Sequence, residues 1–502
     1  MSAANRRDPR PARPLVRRGT QVLRADPSRV LTKLFLPGQE ILAHGISRAD
    51  AVMRRVLAMT DEEVSDTLAW TVRRFTDRHH DLQATFATHF ALVAHRLPAL
   101  TNASAERRDL IGAYCTQEYS VEAAALFNPS IVAHPDQSGL AAGDLRFVMS
   151  VRAVGEGHIS SVEFRTGVLS PPEGVRIDHP GRHLSTGRAA PAPVAREFLR
   201  AALAERADAS GADHVLGLLP DQFDATELDA VLASVGRDSL TRGSTDAIVA
   251  RIRWIASCNY RLHFPGDRPL SERLIFPTSP DESHGIEDAR FTRFTDDDGS
   301  VRYFATYTAF DGSRVAPRLL QTDDFQTFEM TQLAGPAAKD KGMALFPRRV
   351  GGQYVALSRS DRESIGLARS TDAHDWGDVS TLQSPELPWE LIQLGNCGPP
   401  IETADGWLVL THGVGPMRTY AIGAILLDLD DPSTLIGALS QPLLMPTEDE
   451  REGYVPNVVY SCGALLHGDT LLLPYGCSDS AIRFAFVDLP ELLSRLRESR
   501  RA

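Results

Sequence analysis

No Cys-x-x-Cys pair occurs in the 502 residues, and the five cysteines (Cys115, Cys258, Cys397, Cys462 and Cys477) lie scattered. That spacing argues against a disulfide framework or a structural zinc site and fits a reducing compartment. No apolar run reaches transmembrane length. The first residues, "MSAANRRDPRPARPLVRRG", are basic and Pro-rich and lack the apolar stretch of a secretory signal. These absences point to a cytoplasmic protein without a membrane partner, beginning with a disordered basic segment over 1–29. An excess of positive charge is missing too. The formal net charge is −12, which argues against a general nucleic-acid binder. What is there is a core-forming composition, 43% hydrophobic and 24% charged, with enough length for a large domain plus appendages.

Residues 30–125 read as a helical domain. Leu68, Val72, Phe75, His79, Leu82, Phe86, Phe90 and Val93 step by three or four. That spacing predicts one apolar stripe on a long helix, and no Gly or Pro interrupts 61–96. "MTDEEV" supplies a start signal, with Thr60 or Asp61 as the cap. From "LFNPSIVAHPDQSG" onward, alternation and β-branched residues predict strands. Residues 190–255 return to helix ("APVAREFLRAALAERADAS", "ATELDAVLASV"), and strands resume at "YRLHF". The apolar stripes of both helical parts must be buried, either on the β-region or in a homo-oligomer.

The β-region repeats. "VRYFATYTAFDG", "GQYVALSRSD" and "GWLVLTHGVG" each open a strand–loop–strand–turn unit, and Tyr303, Tyr354 and Trp407 recur about every 50 residues. Several strands per such period are the mark of a β-propeller, and residues 126–189 and 256–502 leave room for about five blades. The expected fold is mainly β: a five-bladed propeller with a helical N-terminal domain and a helical insertion in the first blade. Propellers gather functional groups where loops and inner strands converge. "HGIEDARF" (284–291), with two carboxylates and a guanidinium on the edge of a β-core, is a candidate for such a place. On residue physics alone it is equally a solvated turn with an Arg–Asp pair.

Seven motifs in order, over about 200 residues (285–485), resemble glycoside hydrolase family 130, the inverting β-mannoside phosphorylases and related mannosidases. They are "GIEDARF", "KGMALFP", "GQYVALSR", "GPPIETADGWLVLTHGV", "GAILLDLDDPSTLIG", "GYVPNVVYSCGAL" and "LLLPYGCSDSAIRFA". "FNPS" (127–130) and "SVR" (150–152) resemble the first blade's sugar-binding pieces. The helical parts lie outside the resemblance. Ala289 stands where the family usually has Pro, and "SRSDRES" replaces its common His-Arg-Pro.

The resemblance implies a five-bladed propeller and an enzyme that cleaves a β-mannosidic bond, reversibly and with inversion, to give mannose 1-phosphate. Inorganic phosphate is then the co-substrate, and no cofactor or metal is implied. Asp288 maps to the catalytic acid, whose proton in family phosphorylases reaches the leaving oxygen through the mannose 3-hydroxyl. Lys341 and Arg359 map to phosphate-binding positions. His412 is either a third phosphate donor or a core histidine satisfied by backbone. Asn128, Ser130, Arg152 and Asp479 match sugar contacts, Glu287 is a sugar or structural contact, and Arg290 orients the carboxylates of its own segment. An inverting hydrolase needs a base to deprotonate water, whereas phosphate is already an anionic nucleophile and needs fixed cations instead. The residue types therefore favour a phosphorylase acting on a β-mannoside or oligomannoside. The alternative is an inverting β-mannosidase using Asp361 or Glu363 as base. A non-catalytic sugar-binding propeller ranks behind both.

Two further stretches have plain readings. "TDDDGS" (295–300) reads as a hairpin turn rather than a calcium loop. "RHH" (78–80) falls on the predicted helix at adjacent positions that share no face, which speaks against a metal role.

Overall fold

The computed structural model describes residues 14–38, 46–171, 174–204, 213–234 and 242–499. The fold is mainly β. Ala125–Ala133, Leu145–Val154 and Ser160–Ser170 form an antiparallel meander. Gly285–Thr295, Val301–Phe310, Val315–Thr322 and Thr327–Gln332 form the next. A parallel pairing of Gly285 with Ser160 connects the two into one hydrogen-bonded system. Further antiparallel groups follow around Tyr354–Ser358 with Ile365–Ser370, Gly406–Val414 with Tyr420–Leu427, and Thr470–Cys477 with Ala481–Asp488. Their central strands are largely buried on both faces: all nine residues of Gly406–Val414 are buried, as in a sheet covered on each side. Between the first two meanders Phe164 meets Phe291 edge-on at 5.9 Å and stacks on Phe328 at 5.8 Å. Such pairs add about 0.5–1.5 kcal/mol each beyond their area burial.

Five successive segments of these sheets line a cavity of about 400 Å³: 131–133, 291–295, 347–348, 399–402 and 464–466. A few residues earlier, the same five segments carry Asn128, Asp288, Lys341, Asn396 and Tyr460, the groups of the candidate site below.

Several sequence expectations need correction. Residues 1–13 of the expected disordered segment lie outside the described residues, but Val16–Arg24 is a strand paired with Ala481–Asp488. Its arginines hid it. An edge strand needs few apolar residues and tolerates charge. Here Leu23 packs into the core while Arg17 lies over the Phe486 ring at 4.3 Å.

The helices of the first helical part occupy 48–114 rather than 30–125. Val30–Leu34 and Thr116–Ser120 pair antiparallel at its two ends. The expected long helix is two, Asp61–Phe75 and Leu82–Val93. Thr60 caps the first in a capping box with Glu63. Asp81 caps the second by accepting from Ala84 N at 2.9 Å, a local bond that competes with continuing the helix. Leu68, Leu82, Phe86 and Val93 are buried against Leu110 and Ile111 of the same chain, so that stripe needs no partner copy.

The helices of 190–255 are flanked by Arg188–Pro191 and Tyr260–His263, which pair with each other. Tyr260–His263 pairs in turn with Thr327–Gln332. The insertion therefore hangs on the outer edge of the second meander and does not interrupt the first. Sequence order could not show this, because the strand after the insertion skips back to an edge formed some 70 residues later. Among the described residues all five cysteines are free and buried, and no helix is long and apolar enough to cross a membrane.

Candidate active site

Two strands present the same irregularity. Pairing slips between Phe127 and Ser130 in one and between Glu287 and Arg290 in the other. Asn128 (φ 47°) and Asp288 (φ 54°) take left-handed backbone at the slips. Non-glycine residues rarely adopt that conformation, though Asn and Asp tolerate it best, and it re-aims a side chain out of the pleat. The two side chains meet: Asn128 Nδ2 donates to Asp288 Oδ1 at 2.7 Å. Gly285 lets this strand approach its neighbour, since a Cβ there would collide with Ser160 Oγ. Glu282 anchors the strand's start, accepting from Tyr260 OH at 2.8 Å and Tyr307 OH at 2.6 Å.

Cations surround the two carboxylates. Arg152 spans them, with Nη2 donating to Glu287 Oε1 at 2.6 Å and Nη1 to Asp288 Oδ1 at 3.1 Å. Lys341 Nζ lies 2.5 Å from Glu287 Oε2, its side chain still 36% exposed. Asp340, the residue before Lys341, lies 3.7 Å from Arg359 Nη2. Three polar atoms here, Asn128 Oδ1, Arg152 Nε and Arg359 Nε, are buried without a protein partner. Buried polar groups are ordinarily bonded, so their gathering at one place marks a site shaped for something polar.

Protonation divides the carboxylates. Burial pushes Asp288 up, but Arg152, Lys341, Arg290 and the Asn128 amide outweigh it, and the carboxyl sits below its ordinary range. Burial and the negative charge of Asp288 raise Asp479 to about 6, with Arg152 and Arg418 opposing. In the free protein Asp288 is thus the anion, and Asp479 is the carboxyl that keeps its proton to higher pH, titrating at about 6.

The structure gathers Asp288, Glu287, Asn128, Arg152, Lys341, Arg359, His412, Arg290 and Asp479, but it changes some roles. Ser130 is fully buried, and its Oγ accepts from Phe291 N at 2.9 Å, so it ties two strands together rather than facing a sugar. Arg290 leaves its own segment: it donates to Asn396 Oδ1 at 3.0 Å and to Tyr460 OH at 2.6 Å, and acts on Asp288 only through its charge. His412 is not a third donor. Its Nδ1 lies 3.1 Å from the Asn396 carbonyl, which can only accept, so Nδ1 carries the proton. Nε2 then faces Arg359 Nη1 at 3.3 Å as an acceptor. Burial, followed by the charges of Arg359 and Arg290, holds the ring well below its ordinary 6.5, and it stays neutral.

Sequence reasoning missed Asn396, Tyr460 and Gln393, whose Nε2 lies 3.2 Å from His412 Nε2. Asn396 and Tyr460 precede Cys-Gly and Ser-Cys-Gly turns in sheet positions that look like ordinary core, so nothing in their spacing marks them. Asp361, a candidate base, accepts from the amides of Glu363 and Ser364 at 3.0 and 2.9 Å and so closes its own turn.

A family model for glycoside hydrolase family 130, described as β-1,4-mannooligosaccharide phosphorylase, matches residues 268–498. A β-1,2-mannobiose phosphorylase of Listeria innocua is 34% identical over 231 residues, covering 44% of this chain and 63% of that protein. A 1,2-β-oligomannan phosphorylase of a Thermoanaerobacter species is 35% identical over 235 residues, covering 44% of this chain and 75% of that protein. The solved Listeria innocua β-1,2-mannobiose phosphorylase, in complex with β-1,2-mannobiose, aligns at 23% identity with a TM-score of 0.44, covering 76% of this chain and 93% of that one.

Proposed function

The chain belongs to glycoside hydrolase family 130, and we propose that it is an inverting β-mannoside phosphorylase that uses inorganic phosphate as nucleophile. A phosphate oxygen attacks the anomeric carbon, the glycosidic C–O bond breaks, and the leaving oxygen takes up a proton. The products are mannose 1-phosphate and the shortened saccharide. The observation that carries this reading is the pair of cations the site gathers: Lys341 on Glu287, and Arg359 against His412 with its Nε buried and unpaired. Fixed cations are what an anionic nucleophile needs beside acidic groups. A hydrolase would need a base instead, and Asp361 is committed to its turn while Glu363 points to solvent.

Asp288 is the acid in this reading. It is ionised in the free protein because three cations face it. Phosphate arriving at Lys341 offsets one of them, which raises the carboxyl's affinity for a proton when both substrates are bound. Asp479 is a second carboxyl within reach of its charge, raised to about 6 by burial and by Asp288. Asn128, Arg152 and Asp479 read the mannose hydroxyls. The names of the two relatives point first to β-1,2-linked substrates.

The architecture that suits this chemistry is a five-bladed propeller. It is supported by the five segments that share both the site and the cavity beyond it. A cytoplasmic location agrees with five free, buried cysteines. A homo-oligomer through the first helical part has narrower support, from the exposed side chains of Trp70 and Leu92, and light scattering tests it.

The deciding experiment incubates the protein with β-mannobioses of each linkage, with and without phosphate. Mannose 1-phosphate formed only with phosphate is the expected result. Free mannose at a rate indifferent to phosphate would show the hydrolase instead.

A further inference from the structure

Away from the mannoside site, three segments bring His80, His183 and Glu272 together. His80 comes from the turn between Asp61–Phe75 and Leu82–Val93. His183 comes from the loop after Gly174–Ile177, and Glu272 from the turn before Arg273–Ile275. One ligand atom of each lies within 4.8 Å of the other two. The adjacent "HH" spacing gave no hint of this, because the other two groups are remote in sequence.

We propose that His80, His183 and Glu272 bind a divalent first-row transition metal, with Zn²⁺ as the type ion, joining the first helical part to the β-body. Two imidazoles and one carboxylate are a donor set that suits zinc, and they leave a fourth position for water. His183 is already oriented for the task. Its Nε2 lies 3.1 Å from the Asp77 carbonyl, so Nε2 carries the proton and Nδ1 keeps its lone pair. That carbonyl is the kind of partner that fixes the tautomer of a metal-ligating histidine. The carboxylate is buried and held close: Gly181 packs on Glu272 so tightly that a Cβ would collide with it. Beside the cluster is a cavity of about 400 Å³ lined by His79, His80, His89 and Arg268 among others, which gives an ion a way in.

Without metal the same groups bond to each other. His80 Nε2 donates to Glu272 Oε2 at 2.9 Å, while Arg268 Nη1 donates to His80 Nδ1. Metal on Nε2 displaces that proton, which moves to Nδ1, and Arg268 must then turn away. Its guanidinium is partly exposed and its other charged neighbour, Asp267, is 3.9 Å off, so solvent is within its reach. The ligand atoms then settle about 3.4 Å apart, the separation set by zinc bonds of about 2.1 Å in a tetrahedron. Arg268 therefore competes with the metal, which gives the proposal a variant that must strengthen binding.

The test uses the full chain, dialysed against chelator and titrated with Zn²⁺ by calorimetry and with Co²⁺ by visible absorption. One ion per chain is expected, with Co²⁺ bands of a four- or five-coordinate nitrogen–oxygen site. His183→Ala and His80→Ala should weaken Zn²⁺ by more than the roughly 10- to 100-fold that loss of a second-shell partner costs. Arg268→Gln, which keeps all three ligands, should tighten it. Melting followed by circular dichroism confirms that each variant is folded, and Zn²⁺ should raise the melting temperature of the wild type but not of His183→Ala. A wild type that binds no Zn²⁺, or binds it as well as His183→Ala does, overturns the proposal. So does an Arg268→Gln variant with weaker binding than wild type. None of these readouts depends on mannoside turnover.

Discussion

Arg359 Nη1 lies 3.3 Å from His412 Nε2, a nitrogen left as an acceptor because the Asn396 carbonyl engages the other side of the ring. A neutral histidine here aims a guanidinium. It makes His412 a positioning residue and not a charge in its own right.

His412→Ala should therefore raise the KM for phosphate, up to about tenfold if one charge-assisted hydrogen bond of roughly 1.5 kcal/mol is lost. The KM for the mannoside should hardly move. His412→Gln can still accept from Arg359 and should recover part of the loss. Equal effects on both substrates, or no rescue by glutamine, would contradict the positioning role.

Removing the guanidinium itself should be more severe. If Arg359 holds phosphate as proposed, Arg359→Ala deletes a bidentate contact to a dianion, and phosphate affinity should fall at least tenfold, at about 1.4 kcal/mol per factor of ten. Lys341→Ala should act in the same direction but more mildly, since the ammonium is a point charge on a half-exposed stem. A phosphate titration of wild type and both variants reads this directly. A flat dependence in the wild type would sink the phosphorylase reading.

Asp288→Asn keeps the shape of the bulge, and its amide oxygen can still accept from Asn128. Turnover should drop by about 10²–10⁴, the span typical of a general acid. With an activated leaving group that needs no proton, the loss should shrink. A variant retaining more than a tenth of wild-type rate on the natural saccharide would remove Asp288 from the acid's role.

Asp479 carries a pH signature. Its folded carboxyl is raised from 3.8 to about 6, so between those values the folded state binds more protons than the unfolded one. Stability contributed at this position is therefore lost as pH rises through that window. Asp479→Asn removes the loss. Relative to wild type its melting temperature should be higher at pH 8 than at pH 5, even as mannoside affinity falls. Calorimetric melts at the two pH values decide it, and a pH-independent difference would contradict the buried, proton-holding carboxyl.

Local pattern carried much of this protein. The β-branched and aromatic residues of Leu145–Val154 and Val301–Phe310 mark strands from sequence alone, although both strands are buried along most of their length. "MTDEEV" announced a capped helix start because its capping bonds are made within four residues. Lys341, Arg359, Asn128, Arg152 and both carboxylates of "GIEDARF" were legible as candidates because their motifs stand in order along the chain, and the carboxylates, Asn128, Arg152 and Lys341 do meet in the fold.

What the sequence could not hold is pairing across distance. Alternation around "VRRGTQVLR" is too weak to reveal an edge strand until Ala481–Asp488 is beside it. Arg290 chose Asn396 and Tyr460 over its own neighbours because the fold delivers those acceptors from segments more than 100 residues away. The state of His412 was open until a backbone carbonyl fixed its tautomer. His80, read as one of two adjacent residues on a helix, met His183 and Glu272 only through the packing of the helical part on the sheets. Sequence sets which groups are available and which local conformations they prefer. Hydrogen-bond partners, protonation states and ligand sets depend on a few ångströms between groups far apart in the chain, and only the packed tertiary structure sets those distances.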